Sequence, residues 1–268
     1  MTSRPPPANQ LLIRRRHLEA NRRLIIGRSL AAAVVGAVPL PLIDEWLVNS
    51  VQRSTFRRIG EAHSVDLDDG ALDALLNARP EEPNVPRMAF RMALMRILAT
   101  TWRKLVLVIA TASGVRTTAR YFARATLFDH YCAKLHTGLG IDHDTGLTVR
   151  ALIDQAVDDT PGGLGTQIFR RGLIAAARAT VRAPAELADI ATAGALRKLL
   201  ERRSRSDEPA LAIAHEVDSA LEAQLAEEKS FLSRAVRAVE IQLSVQGNPY
   251  LDSLVDQFER LWHQRAAQ

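Results

Sequence analysis

Residues 22–60, RRLIIGRSLAAAVVGAVPLPLIDEWLVNSVQRSTFRRIG, decide the fold. A basic start leads into fifteen uncharged, mostly small apolar residues, Ser29 to Ile43, broken by a Pro-x-Pro at Pro39 and Pro41. Each proline lacks an N–H and restricts the residue before it, so a first helix must end or kink there. Asp44 and Glu45 then suit the positive end of a new helix dipole. Leu47, Val48, Val51, Thr55 and Ile59 recur at three- and four-residue steps, with Gln52, Arg53, Arg57 and Arg58 largely elsewhere, which predicts an amphipathic helix ending near Gly60.

The hairpin so defined has two environments open to it. Ala31, Ala32, Ala33, Gly36 and Ala37 permit close helix approach, as in a protein core or a membrane bundle. Fifteen residues fall short of the roughly 20 that span a bilayer, and Arg28 blocks any extension backward. Arg22-Arg23 has a twin-arginine look, but the long basic lead and poor cleavage chemistry before Pro39 argue against an export signal. Two readings therefore remain: a hairpin that dips into the membrane, or the core of a soluble bundle.

The rest of the chain is also helical in pattern. Hydrophobic residues make up 47% and charged residues 24%, with aromatics at only 5%, so Ala- and Leu-rich helices are favoured over sheet. The single Cys132 excludes an internal disulfide framework. Residues 1–10 read as a disordered tail and 11–79 as an N-terminal hairpin unit, with a short helix at 69–78 behind Asp66, Asp68 and Asp69. PEEPNVP, 80–86, reads as a linker, and RRSRSDEP, 202–209, as a second. Between them, 87–203 forms a central helical region with helices near 116–136, 146–157, 165–182 and 184–203, Gly114 separating the first from an earlier one. A three-helix segment, 209–268, closes the chain, marked by Leu232, Val236, Val239 and Leu243 and then by Leu254, Val255 and Phe258 behind an Asn248-Pro249 start. All of 11–268 also fits a single domain. No convincing alternating strand occurs, and the fold class is all-α, a bundle of about nine helices. PLPLID (39–44) and PAELAD (184–189) share Pro-x-x-Leu-x-Asp, either by duplication or by chance in an Ala/Leu-rich chain.

Charge is divided unevenly. Residues 1–128 carry 19 Lys and Arg against 10 Asp and Glu, and the remaining 140 carry 16 against 20. A basic half joined to an acidic half implies an anionic partner for the first, or electrostatic docking between the two. No acidic residue occurs from Asn84 to Phe128, where Arg87, Arg91, Arg96, Arg103, Lys104, Arg116, Arg120 and Arg124 lie. These eight are the candidate contacts to an anionic surface. They suit a membrane surface, nucleic-acid phosphates, or a solvated face docked on the acidic half.

Catalytic and metal motifs are lacking. Asp129, Cys132 and His136 share helical spacing, with His130, Asp142, His143 and Asp144 nearby, but no C-x-x-C or H-E-x-x-H accompanies them, and a packed cysteine with surface or capping histidines is the better reading. Asp142 and Asp144 before Gly146 resemble a calcium-loop start, yet Ile153 stands where its last acid belongs, so a turn and helix cap is expected. PGGLGTQ lacks the Lys-Ser/Thr of a P-loop. No catalytic residue, cofactor or metal site is assigned, and a non-enzymatic role is expected.

Residues 27–76, GRSLAAAVVGAVPLPLIDEWLVNSVQRSTFRRIGEAHSVDLDDGALDALL, resemble the hydrophobic helical domain that bacteria carry beside or fused to Era-like GTPases, and the EcsC-type family. The shared pattern is a small-residue helix (Ala31–Ala37), a Pro-rich break ending in Asp44, an amphipathic helix (Val51–Ile59), the Gly60 stop and the V-x-L lead Val65–Leu67. His63-Ser64 takes the place of the family's Tyr-Gly. The resemblance implies membrane association and a GTPase or transporter partner, with no catalytic residue to carry over; taken with the rest of the chain, the expected place is the cytoplasmic face of the membrane. The expected function is thus a membrane-associated interaction or scaffold protein; a soluble adaptor and a nucleic-acid-binding protein are the alternatives.

Overall fold

A computed structural model describes residues 16–36, 44–76, 112–161, 165–172, 174–175, 219, 222, 225–226, 231–244 and 250–267. The described residues are all-α apart from one two-residue bridge. In chain order they form α1 (Arg16–Gly36), α2 (Asp44–Ala62), β1 (Asp66–Leu67), α3 (Asp69–Leu76), α4 (Ala112–His130), a π-helical turn (Tyr131–Leu135), β2 (Gly140–Ile141), α5 (His143–Asp159), α6 (Phe231–Ser244) and α7 (Tyr250–Ala266). A further helical stretch covers 165–172. Pro39, Pro41, both proposed linkers and the two Pro-x-x-Leu-x-Asp segments, except Asp44, lie outside the described residues.

α1 sits at the centre. Nine consecutive residues, Ile25 to Ala33, are buried, so the helix is covered on every side rather than along one stripe. α2, α4 and α6 pack around it. Its small residues make this possible: Ala31 and Ala32 lie against Val51 of α2 and Tyr121 of α4. Gly27 faces Leu225, whose methyl would stand 2.4 Å from an added Cβ. Protein therefore covers residues 25–33 of this helix.

α2 begins at Asp44, as the dipole argument requires. Val51, Thr55, Phe56 and Ile59 are its buried face, and the Thr55 hydroxyl is satisfied by the Val51 carbonyl at 2.6 Å. Gly60 lies two residues before the end of α2, and its carbonyl accepts from the His63 and Val65 N–H groups at 3.0 and 2.9 Å, while Ser64 takes the left-handed φ of 56° that turns the chain. A Cβ on Gly60 would stand 2.8 Å from the Val65 carbonyl oxygen and 2.7 Å from a Leu67 methyl.

That turn delivers β1. Asp66 and Leu67 pair in parallel with Gly140 and Ile141 of β2. Each strand runs directly into an Asp-capped helix: Asp68 Oδ1 accepts from Ala71 N at 2.5 Å, and Asp142 Oδ1 from Thr145 N at 2.8 Å. The bridge therefore lays α3 and α5 side by side, with Gly146 of α5 against Ala71 and Ala74 of α3. The expected cap at Asp142 is present, and α5 spans 143–159. Two-residue strands carry no alternation, which explains why the sequence showed none. Gly114, expected to separate two helices, lies inside the first turn of α4, where its carbonyl accepts from Thr118 Oγ1 at 2.8 Å.

One core joins the described elements, from Leu18 of α1 to Phe258 of α7. Phe56 and Phe128 meet at 4.7 Å between ring centroids, and Tyr131 meets Trp262 of α7 at 5.1 Å. The close approach at Gly60 generates a test. Alanine there gains about 1 kcal/mol of helix propensity, but it must displace a backbone carbonyl, at about 1–3 kcal/mol. Gly60→Ala is expected to lower the urea midpoint; a raised midpoint would show that the turn relaxes freely.

Candidate functional site

The polar residues of the interior collect along the seam between α1, α2 and α4. Asp129 is fully buried at the end of α4. Its Oδ1 accepts from Asn21 Nδ2 of α1 at 2.7 Å and lies 2.8 Å from His63 Nε2 at the end of α2. Three helices thus meet on one carboxylate oxygen. Oδ2 has no hydrogen-bond partner among the described residues, so the two bonds to Oδ1 carry the group's stabilisation. Next along the chain, His130 Nε2 lies 3.2 Å from Glu259 of α7, tying that helix to the same end of α4.

Arg28 is the second polar centre. Its side chain is completely buried, inside a helix otherwise lined with Ile, Leu and Ala. One guanidinium nitrogen donates to Ser54 of α2, and another lies 3.5 Å from Glu222. Glu222 also meets Arg58 at 2.6 Å, so one carboxylate from the acidic half faces two arginines of the basic half.

Further ion pairs join the helices nearer the surface. Arg23 meets Glu240 of α6, Arg120 meets Asp158, and Arg124 meets Asp154 at 2.6 Å. Arg53 pairs with Asp69 and Asp73, and Arg57 with Asp69. Exposed pairs such as Arg120–Asp158 contribute at most about 1 kcal/mol each. Arg23, Arg120 and Arg124 reach carboxylates of the second half, whereas Arg53 and Arg57 find theirs inside the first.

Of the eight basic residues singled out as contacts for an anionic surface, the described ones are Arg116, Arg120 and Arg124, all on α4. Arg116 is exposed, and the other two face the carboxylates of α5. Arg87, Arg91, Arg96, Arg103 and Lys104 lie outside the described residues.

The Asp/Cys/His set does not converge. Among the described residues no three His, Cys, Asp or Glu side chains are grouped to hold a metal ion. Asp129 is committed to Asn21 and His63. The Tyr131 hydroxyl lies 3.3 Å from His136 Nδ1. Asp142 caps α5, and its carboxyl is held below the usual range by the Thr145 hydroxyl and N–H. Burial pushes the Cys132 thiol well above its ordinary value, and the Asp129 charge adds to the effect. It is therefore a protonated packing group rather than a nucleophile. Burial likewise raises the Tyr131 phenol to about 12.

Sequence reasoning missed the pairing of His63 with Asp129, the role of Asn21 and the burial of Arg28. The one available signal was the Asp129-His130 pair itself, an acid and a histidine inside the otherwise mostly apolar run from Ala125 to Cys132. No family model, curated protein or solved structure matches this chain.

Two outcomes follow from this geometry. His63→Ala, which removes a hydrogen bond to a charged buried group, is expected to cost about 2–3 kcal/mol in urea unfolding. Adding it to an Asp129→Ala background should cost clearly less, because the partner is already gone; additive losses would mean the pair is not coupled. Alkylation of Cys132 by iodoacetamide should stay slow and limited by unfolding between pH 7 and pH 9. A rate in the native protein equal to that of the urea-unfolded chain at the same pH would contradict its burial.

Proposed function

We propose that this chain acts by binding rather than by catalysis, as a helical adaptor or scaffold protein of the cytoplasm. The observation that carries this reading is the use made of its interior polar groups. Asn21, His63 and Asp129, Arg28 with Ser54 and Glu222, and His130 with Glu259 each bridge separate helices or segments. Groups spent in this way fasten the bundle and leave its outer surface as the working part. The coverage of α1 by α2, α4 and α6 favours the adaptor over a membrane-dipping hairpin. No described helix is long and apolar enough to cross a membrane.

Attachment to the inner membrane face through the basic helices is the second reading, supported by the exposed Arg116 on α4. The resemblance of residues 27–76 makes a GTPase or a transporter the first partner class to try. Nucleic-acid binding draws only on the basic charge of residues 1–128, which the pairs to Glu222, Glu240, Asp154 and Asp158 partly offset.

Cell fractionation separates the readings. The adaptor is expected in the soluble fraction at low salt. Retention on membranes at low salt with release at high salt would replace it with electrostatic attachment. Retention through a carbonate wash would overturn it in favour of insertion. Salt-sensitive retention on DNA or RNA would favour nucleic-acid binding instead.

A further inference from the structure

Four arginines on two packed helices have no side-chain partner among the described residues: Arg170 and Arg171 on the 165–172 helix, and Arg234 and Arg237 on α6. A Cβ on Gly172 would stand 2.6 Å from a Val239 methyl and 2.9 Å from its Cα. The two axes therefore lie near the low end of helix packing, about 8 Å apart. Ile168 and Phe169 of the first helix and Val236 and Val239 of the second are buried, so both helices turn their opposite faces outward. Arg170, Arg171 and Arg237 are exposed there, and Arg234 is half-buried. At about 1.5 Å of rise per residue, the first three start within about 3 Å of the Gly172–Val239 level, and Arg234 within about 8 Å. The four make one basic patch.

Little opposes its charge. No acid occurs from Thr160 to Ala185, and Glu240 is the one acid from Lys229 to Leu251. Glu240 faces Arg23 of α1 at 3.5 Å, and so answers a fifth arginine rather than these four. Asp252, in the first turn of α7, belongs to the other end of the 165–172 helix, where Gly165 meets Tyr250. That end lies about 9 Å along the axis from Arg171. Ile241 is 54% exposed and follows Arg234 and Arg237 at helical spacing on the same face of α6. This one apolar side chain selects among anionic partners. A nucleic-acid backbone offers it phosphate and sugar, and no exposed aromatic among the described side chains of either helix can stack on bases. A membrane surface takes a broader apolar face, with Trp, Phe or Leu. An acidic helix with a lone apolar position matches both the charge and the isoleucine. We infer that this patch is where the adaptor docks an acidic helical segment of a partner protein, its carboxylates on the four arginines and one apolar side chain on Ile241. The inference rests on the adaptor reading and supplies the chemistry of its partner.

Fluorescence anisotropy of a labelled peptide of four Glu-Glu-Leu-Glu repeats, titrated with the full chain, tests this surface. Saturable binding that weakens with added salt is expected. Arg170→Gln with Arg237→Gln should weaken it about tenfold or more, the scale of close charge pairs across an interface. Arg116→Gln with Lys134→Gln removes the same charge from exposed side chains elsewhere, and should change it less than about twofold. Ile241→Ser should erase the preference for this peptide over one with serine in place of leucine. Absence of binding, equal losses in the two double variants, or an unchanged leucine preference in Ile241→Ser would each overturn the assignment. So would tighter binding of a DNA duplex or of phosphatidylserine vesicles than of the peptide, lost in the Arg170 and Arg237 double variant. If the peptide fails while the chain fractionates as soluble at low salt, this surface falls and the adaptor reading stands; retention on membranes overturns both.

Discussion

A single buried carboxylate oxygen holds the architecture together. Asp129 Oδ1 receives α1 through Asn21 and α2 through His63, and it does so where no water can compete. An unpaired charge at that depth would cost several kcal/mol, so these helices must meet at this point for the chain to fold. The neighbouring His130 extends the constraint to α7 through Glu259. The π-helical turn follows immediately, and it keeps Tyr131 and Cys132 in the core alongside Phe128.

Around this junction, small residues set the distances. α1 can be central because Gly27, Ala31 and Ala32 let its neighbours approach. Gly60 and Gly146 do the same where β1 leaves α2 and where α5 crosses α3. The parallel bridge between residues 66–67 and 140–141 adds few hydrogen bonds, but it aligns two Asp-capped helix starts. Buried Arg28 fits the same scheme: inside a crowded helix it reaches Ser54 and Glu222, and so ties the basic half to the acidic one.

Local features of the chain were legible from sequence because their causes are local. Helical faces such as Leu232, Val236 and Val239 follow from a 3.6-residue period, the start at Asp44 from the helix dipole, and the cap at Asp142 from its spacing to Thr145. Features formed across distance were not legible. His63 and Asp129 are 66 residues apart and belong to no motif. Arg28 reads as the charge that interrupts an apolar stretch, and only the placement of Ser54 and Glu222 allows it to be buried instead. A two-residue strand has no period to detect, and Gly114 looks like a break although a first helical turn accepts it. The seam was half visible, as Asp129 and His130 in a mostly apolar run, but the sequence read as a packed Cys132 with surface or capping histidines and gave no sign that Asp129 and His130 dock helices.

The central claim is that α1 is core, covered by protein and not by lipid. Amide hydrogen exchange of residues 25–33 in the full chain, with and without anionic vesicles, tests it most directly. Protection in water near the free energy of global unfolding, unchanged by vesicles, is the predicted result. Rapid exchange in water that slows only when vesicles are added would contradict it.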